Sequence, residues 1–240
     1  VIFSRHVNKT NEVNMTPALN QFLFCYYPYI ALSVFILGSI LRYDRDQYSW
    51  KADSSQLLEG KKLRLGSNLF HVGILFLFFG HLVGLLTPHE IYSSFISAEL
   101  KQKLAMTAGG IFGTICFIGL SILIWRRISN ERVRATSRFS DFFILALLYI
   151  QLILGLASIP ISASHPDGSS MMALANWAQH IITFQPDAAS FILEEHLIFK
   201  LHIFFGATII LVFPFTRLVH VWSVPIKYLK RSGYQIVRKS

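Results

Sequence analysis

"NLFHVGILFLFFGHLVGLLTPH", residues 68–89, is an apolar run with two histidines, His71 and His81, inside it and a third, His89, at its end. In hydrocarbon an imidazole must find a partner, because no water is there to satisfy it. The run is also long enough to cross a bilayer. Four more of the same kind follow the same rule, and together they lie at about 22–41, 68–87, 104–125, 140–161 and 197–222. About 20 residues at 1.5 Å each span the roughly 30 Å of hydrocarbon. Barrel strands need only about ten residues, so these runs are helices with their backbone bonds closed internally. The sequence therefore predicts an all-α membrane protein, a bundle of five transmembrane helices.

Composition agrees. Of 240 residues, 53% are hydrophobic and only 15% are charged, where a soluble domain carries about 25%. The mean hydropathy is +0.48. The net charge of +9 forms no compact basic domain, so nucleic acid is not the expected partner. The two cysteines, Cys25 and Cys116, make no CxxC pair, and so neither a disulfide framework nor an iron–sulfur or zinc site of their own.

Lysine and arginine set the orientation. Segments 42–66 and 126–138 and the tail from 217 hold seventeen; the alternate segments hold four, Arg5, Lys9, Lys101 and Lys103. Basic residues mark the cytoplasmic side. The N-terminus is expected outside and the C-terminus in the cytoplasm, in a multi-pass protein of the inner (cytoplasmic) membrane. Between 163 and 195 the stretch MMALANWAQHIITF reads as an amphipathic piece along the outer interface.

Four histidines lie within spans: His71 and His81 in span two, His202 and His220 in span five. Ionisable groups inside a membrane are functional candidates by default. Span two runs outward and span five inward, so depth pairs His71 with His220 and His81 with His202. Two cross-helix imidazole pairs at two depths suit two b-type haems, each with two axial histidines. Structural or proton-path histidines, or another metal, are the alternatives. Eighteen residues is five full turns, so His202 and His220 should share a helix face, while ten residues puts His71 and His81 about 80° apart. Ten residues rise about 15 Å and eighteen about 27 Å, a mismatch that tilt and a kink at Pro214 would have to absorb. Gly73, Gly80, Gly84 and Gly206 give a flat porphyrin room, or else allow close helix packing.

Longer motifs carry a resemblance. They are YPYIA (27–31), LRYDRDQYSW (41–50), GSNLFHVGIL (66–75), GHLVGLLTPH (80–89), KQKLAM (101–106), RRISNERVRAT (126–136) and RLVHVWSVPIKYL (217–229). With them, the chain from about 15 to 240 resembles the gamma subunit of respiratory nitrate reductase, a membrane di-haem cytochrome b. The resemblance implies that His81 and His202 ligate an outer haem and His71 and His220 an inner one. It implies a quinol site by the outer haem that includes Lys101 and Gly80, and places Arg127 near an inner-haem propionate. Quinol would be oxidised there and electrons passed inward to an iron–sulfur beta subunit and a molybdenum-containing alpha subunit on the cytoplasmic side. Residues 1–14 then read as an external N-terminal extension, 15–225 as the five-helix di-haem domain, and 226–240 as a basic cytoplasmic tail. The rival readings are a di-haem cytochrome b of a related sulfur or heterodisulfide reductase complex, and a transporter that uses the histidines as a proton relay.

Overall fold

The computed structural model describes residues 15–46, 48, 50 and 60–223. The expected extension at 1–14 and tail at 226–240 lie outside the described residues, as do Lys51 and the basic residues from Lys227 onward. The described residues are mostly helical, with no strand among them. Five stretches are long and apolar enough to cross a membrane: α1 (Pro17–Asp46), α2 (Gly60–Leu86), α3 (Ala98–Ser129), α4 (Phe139–Ala163) and the one that begins as α6 (Leu197–Val212). A sixth helix, α5 (Ser169–Ile182), lies between α4 and α6.

The helices overrun the apolar runs because caps, not the hydrocarbon edge, end a helix. Thr16 accepts the Leu19 N–H at the start of α1, and Ser97 accepts the Leu100 N–H at the start of α3. Asp141 accepts the Arg138 N–H at the start of α4. Within α1, Pro28 has no N–H to give the Phe24 carbonyl four residues back, and a π-helical turn occupies Phe22–Tyr26. The Trp177 indole of α5 donates to that Phe24 carbonyl at 2.8 Å. The YPYIA motif thus gives α5 an anchor point on α1.

The spans pack as an arc in the order α2, α3, α4, α6, α1. The closest seam joins α2 and α3. A Cβ at Gly73 would lie 2.6 Å from the Cys116 Cβ, and one at Gly119 would lie 2.4 Å from the Phe70 nitrogen. Only glycine lets the two backbones come this near. Large apolar side chains such as Leu37, Phe76, Val83 and Ile111 are exposed, as lipid-facing residues should be.

The end holding Gly60, Ser129 and Phe139 is here the basic end; the end with Leu86, Ala98 and Ala163 is the far end. At the far end α5 packs on α2 and α3. Gly168, with φ of 80°, starts α5 where any Cβ would press on Ala98. The expected interfacial piece is thus a built part of the bundle: Gln179 donates to the Leu85 carbonyl at 3.0 Å, and Ala188–Ile192 packs with Phe24 and Cys25.

Span five departs from the reading of one helix over 197–222. The α-helix stops at Val212, a 3-10 turn covers Phe213–Phe215, Thr216 is extended, and a second 3-10 segment, Arg217–Ser223, carries His220. Pro214 is the local cause: it withholds an N–H and cannot continue the ladder. His202 and His220 therefore do not share a helix face. Only ten residues of α6 follow His202, a rise of about 15 Å, and the remaining eight to His220 run after the break at Pro214 rather than along the α6 ladder.

Two imidazole pairs in the candidate cofactor site

His71 and His81 both stand on α2, and α6 packs closely on α4 and α1 rather than on α2. The imidazoles bridge this gap in two pairs. His71 and His220 have ring centroids 6.1 Å apart, with planes at 73°. His81 and His202 also stand 6.1 Å apart, with planes at 37°. An imidazole nitrogen bonds a first-row metal at about 2.0–2.1 Å, and two rings on opposite sides of one ion then have centroids roughly 6 Å apart. Among the described residues no three of His, Cys, Asp and Glu converge into a closed metal site.

Three of the four rings are held by carbonyls. Nδ1 of His71 faces the Ser67 carbonyl at 2.7 Å, Nδ1 of His81 the Leu77 carbonyl at 2.7 Å, and Nδ1 of His220 the Arg217 carbonyl at 2.5 Å. A carbonyl only accepts, so each Nδ1 carries the proton and donates. Nε2 is left with its lone pair, which is the form a metal takes. His202 differs. Its buried Nδ1 has no hydrogen-bond partner, while its Nε2 faces the Gln151 amide Nε2 at 3.4 Å; the buried Oε1 of that amide also has no partner. The ring is seated against Gly155, where a Cβ would come within 3.0 Å of Cε1.

The four glycines near the histidines divide. Gly73 is a packing glycine pressed on Cys116, so it gives a planar group no room. Gly80, beside His81, has nothing within 4 Å of its Cβ position. Gly84 has the Met171 methyl at 3.5 Å, and Gly206 the Gln151 amide at 3.2 Å. Unpartnered polar atoms at Gln151 and His202 and open space over Gly80 fit a flat ligand between α2 and α6 at the far end.

Lys101 is buried, 8% exposed, and is no ordinary interfacial lysine. Its ammonium lies 3.8 Å from the centre of the Tyr92 ring and donates to the Thr87 carbonyl at 3.4 Å. Tyr92 in turn sits against His89 and Met172. Lys101 and Gln179 thereby satisfy end carbonyls of α2. The lysine does not touch Gly80; Thr87 is seven residues on, about 10 Å along the helix.

At the basic end Arg127 donates to Ser137 at 2.7 Å and to Asp141 at 3.2 Å. The same carboxylate takes Arg217 at 2.7 Å through Nε. Sequence reasoning passed over Asp141, Arg217, Gln151 and Gly155. The signal for two of them was present: Asp141 is the one acidic residue, and Gln151 the one amide, within Phe139–Ala163.

A model of the nitrate reductase gamma subunit family matches residues 20–240. The chain belongs to this family. It is 52% identical over 224 residues to the respiratory nitrate reductase 2 gamma chain of Escherichia coli (strain K12), covering 93% of this chain and 99% of that one. It is 53% identical over 220 residues to the respiratory nitrate reductase 1 gamma chain of the same organism, covering 92% and 97%. The nitrate reductase gamma chain of Bacillus subtilis (strain 168) is 42% identical over 220 residues, covering 91% and 98%. As a nitrate reductase gamma subunit with five membrane-spanning helices, it is a multi-pass membrane protein, a cytochrome b component of respiratory nitrate reductase.

Proposed function

We propose that the chain is the membrane-anchoring di-haem cytochrome b that oxidises quinol near the outer face and passes electrons inward to iron–sulfur and molybdenum-containing partner subunits. The observation that carries this is the meeting of two imidazole pairs at two levels, each at 6.1 Å, in a nitrate reductase gamma subunit. His71 and His220 would hold the inner haem, and His81 and His202 the outer one. Haem with two axial imidazoles supplies a one-electron centre whose potential follows its ligands, hydrogen bonds and burial.

The chain's own residues do the rest. Carbonyls of Ser67, Leu77 and Arg217 fix the tautomers of three ligands before any metal arrives. Gly80 leaves the flat group its space beside His81. Lys101, with one donor on Thr87, keeps two for a quinol oxygen. Arg127 binds Ser137 and Asp141 through Nη1, which leaves Nε and Nη2 for a propionate. The basic end faces the cytoplasm on the strength of its lysine and arginine excess, and it is the side where the iron–sulfur and molybdenum subunits dock. Electrons taken at the far end and delivered at the basic end separate charge, at about 2.3 kcal/mol per elementary charge per 100 mV.

The test is a reduced-minus-oxidised spectrum with a haem count on the purified complex. Two haems b for each copy of this chain are expected. None would sink the reading and return the four histidines to a relay or a structural role.

A further inference from the structure

The basic-end pair raises a question that the far-end pair does not. His220 stands beyond the end of α6, after an extended residue, where no α-helical ladder fixes it. Something else must hold it. From one side Arg42 of α1 donates to the Pro214 carbonyl at 2.6 Å and to the Thr216 carbonyl at 2.9 Å. From the other side the hold runs through Arg217. Its carbonyl accepts from His220 Nδ1, and its guanidinium grips Oδ1 of Asp141 through Nε and Nη2. Oδ2 of the same carboxylate takes Arg127 Nη1 of α3 and the Arg138 backbone N–H. Asp141 is 5% exposed, and both its oxygens are engaged.

We infer that Asp141 is a positioning residue for the basic-end ligand His220, acting through Arg217; this rests on the haem reading above. The carboxylate lies between two guanidiniums. Without it Arg127 and Arg217 would face one another as like charges in a buried place, and Arg217 would move. The carbonyl that orients His220 belongs to that same residue. A shift there changes the ring's orientation and the basicity of its Nε2, which are the quantities an outer hydrogen bond sets at a metal ligand. Among the described residues no such connection reaches His81 or His202, so the effect belongs to one haem.

The experiment uses the whole membrane complex with Asp141→Asn, read by electron paramagnetic resonance of the low-spin haem signals and by redox titration of each haem. The inner-haem signal is expected to move and its potential to shift. A tenfold change in the relative hold on its two oxidation states corresponds to about 59 mV for one electron. The outer haem should stay as in the wild type. Arg217→Lys keeps the charge but loses the two-pronged grip, and should give the same one-sided change. Asp141→Glu should recover part of the wild-type signal. Two unaltered haems in Asp141→Asn, or equal changes in both, would overturn the inference. Should Asp141→Asn not assemble, Arg217→Lys decides by the same criterion. Absence of haem from the wild type would instead be a failure of the proposed function.

Discussion

The two imidazole pairs have the same separation and different supports. At the basic end both rings are gripped by carbonyls, and a buried carboxylate stands behind one of those grips. At the far end only His81 is so held; His202 rests on Gly155 with its Nδ1 unpartnered and Gln151 nearby. The planes cross at 73° in the first pair and 37° in the second. The lesson is that a helix supplies one support without tertiary help: a histidine at position i reaches the carbonyl at i−4, as His71 and His81 do. His220 takes the i−3 carbonyl of Arg217, whose side chain is held by Asp141 of α4, and His202, although on α6, uses no such carbonyl and rests against Gly155 and Gln151 of α4.

The largest effect that could break this comparison is removal of a ligand. His81→Ala or His202→Ala should take the haem count from two to one and cut quinol-driven nitrate reduction by more than the roughly 100-fold that losing an outer hydrogen bond to a ligand can cost. His71→Ala or His220→Ala should also leave one haem, but the other one, as redox titration would show. Variants that keep both haems would end the pairing.

Next come the glycines, which separate packing from cradle. Gly73→Val puts a branched side chain into Cys116 and should destabilise α2 against α3, disturbing both haems together; overpacking costs about 1–3 kcal/mol, visible as a lower melting temperature. Gly155→Val meets His202 first, so it should disturb the outer haem more than the inner one. Equal effects of the two variants on both haems would erase the difference between the sites.

Lys101→Ala should raise KM for quinol about tenfold, near 1.4 kcal/mol, and leave two haems in place. Unchanged quinol kinetics would confine Lys101 to satisfying the end of α2. The smallest effect is expected for Gln151→Leu. It removes the polar neighbour of His202 and should move only the outer-haem potential, while the inner one stays as in the wild type. A shift in the inner potential instead would show that the two sites are coupled through α4.

Much of this was legible beforehand. Apolar length set five spans, and antiparallel running of spans two and five set which histidines lie at one depth. The kink expected at Pro214 is there, but the α-helix does not resume beyond it, because hydropathy continues through the proline while the backbone ladder does not. For Gly73 the sequence leaves room for a porphyrin and close packing both open, because composition cannot say which way a helix face turns; its neighbour proves to be Cys116. Asp141 and Gln151 were visible as polar residues in an apolar run, but their partners lie far along the chain, 76 residues away for Arg217 and 51 for His202.

The sequence by itself determined the membrane class, the helices and the levels of the four imidazoles, because length, hydropathy and helical rise are local quantities that add along the chain. Only the tertiary structure decided what holds each ring. Those contacts depend on how each helix is rotated and where it breaks, and that is settled by the packing of glycines, arginines and one aspartate drawn from separate helices.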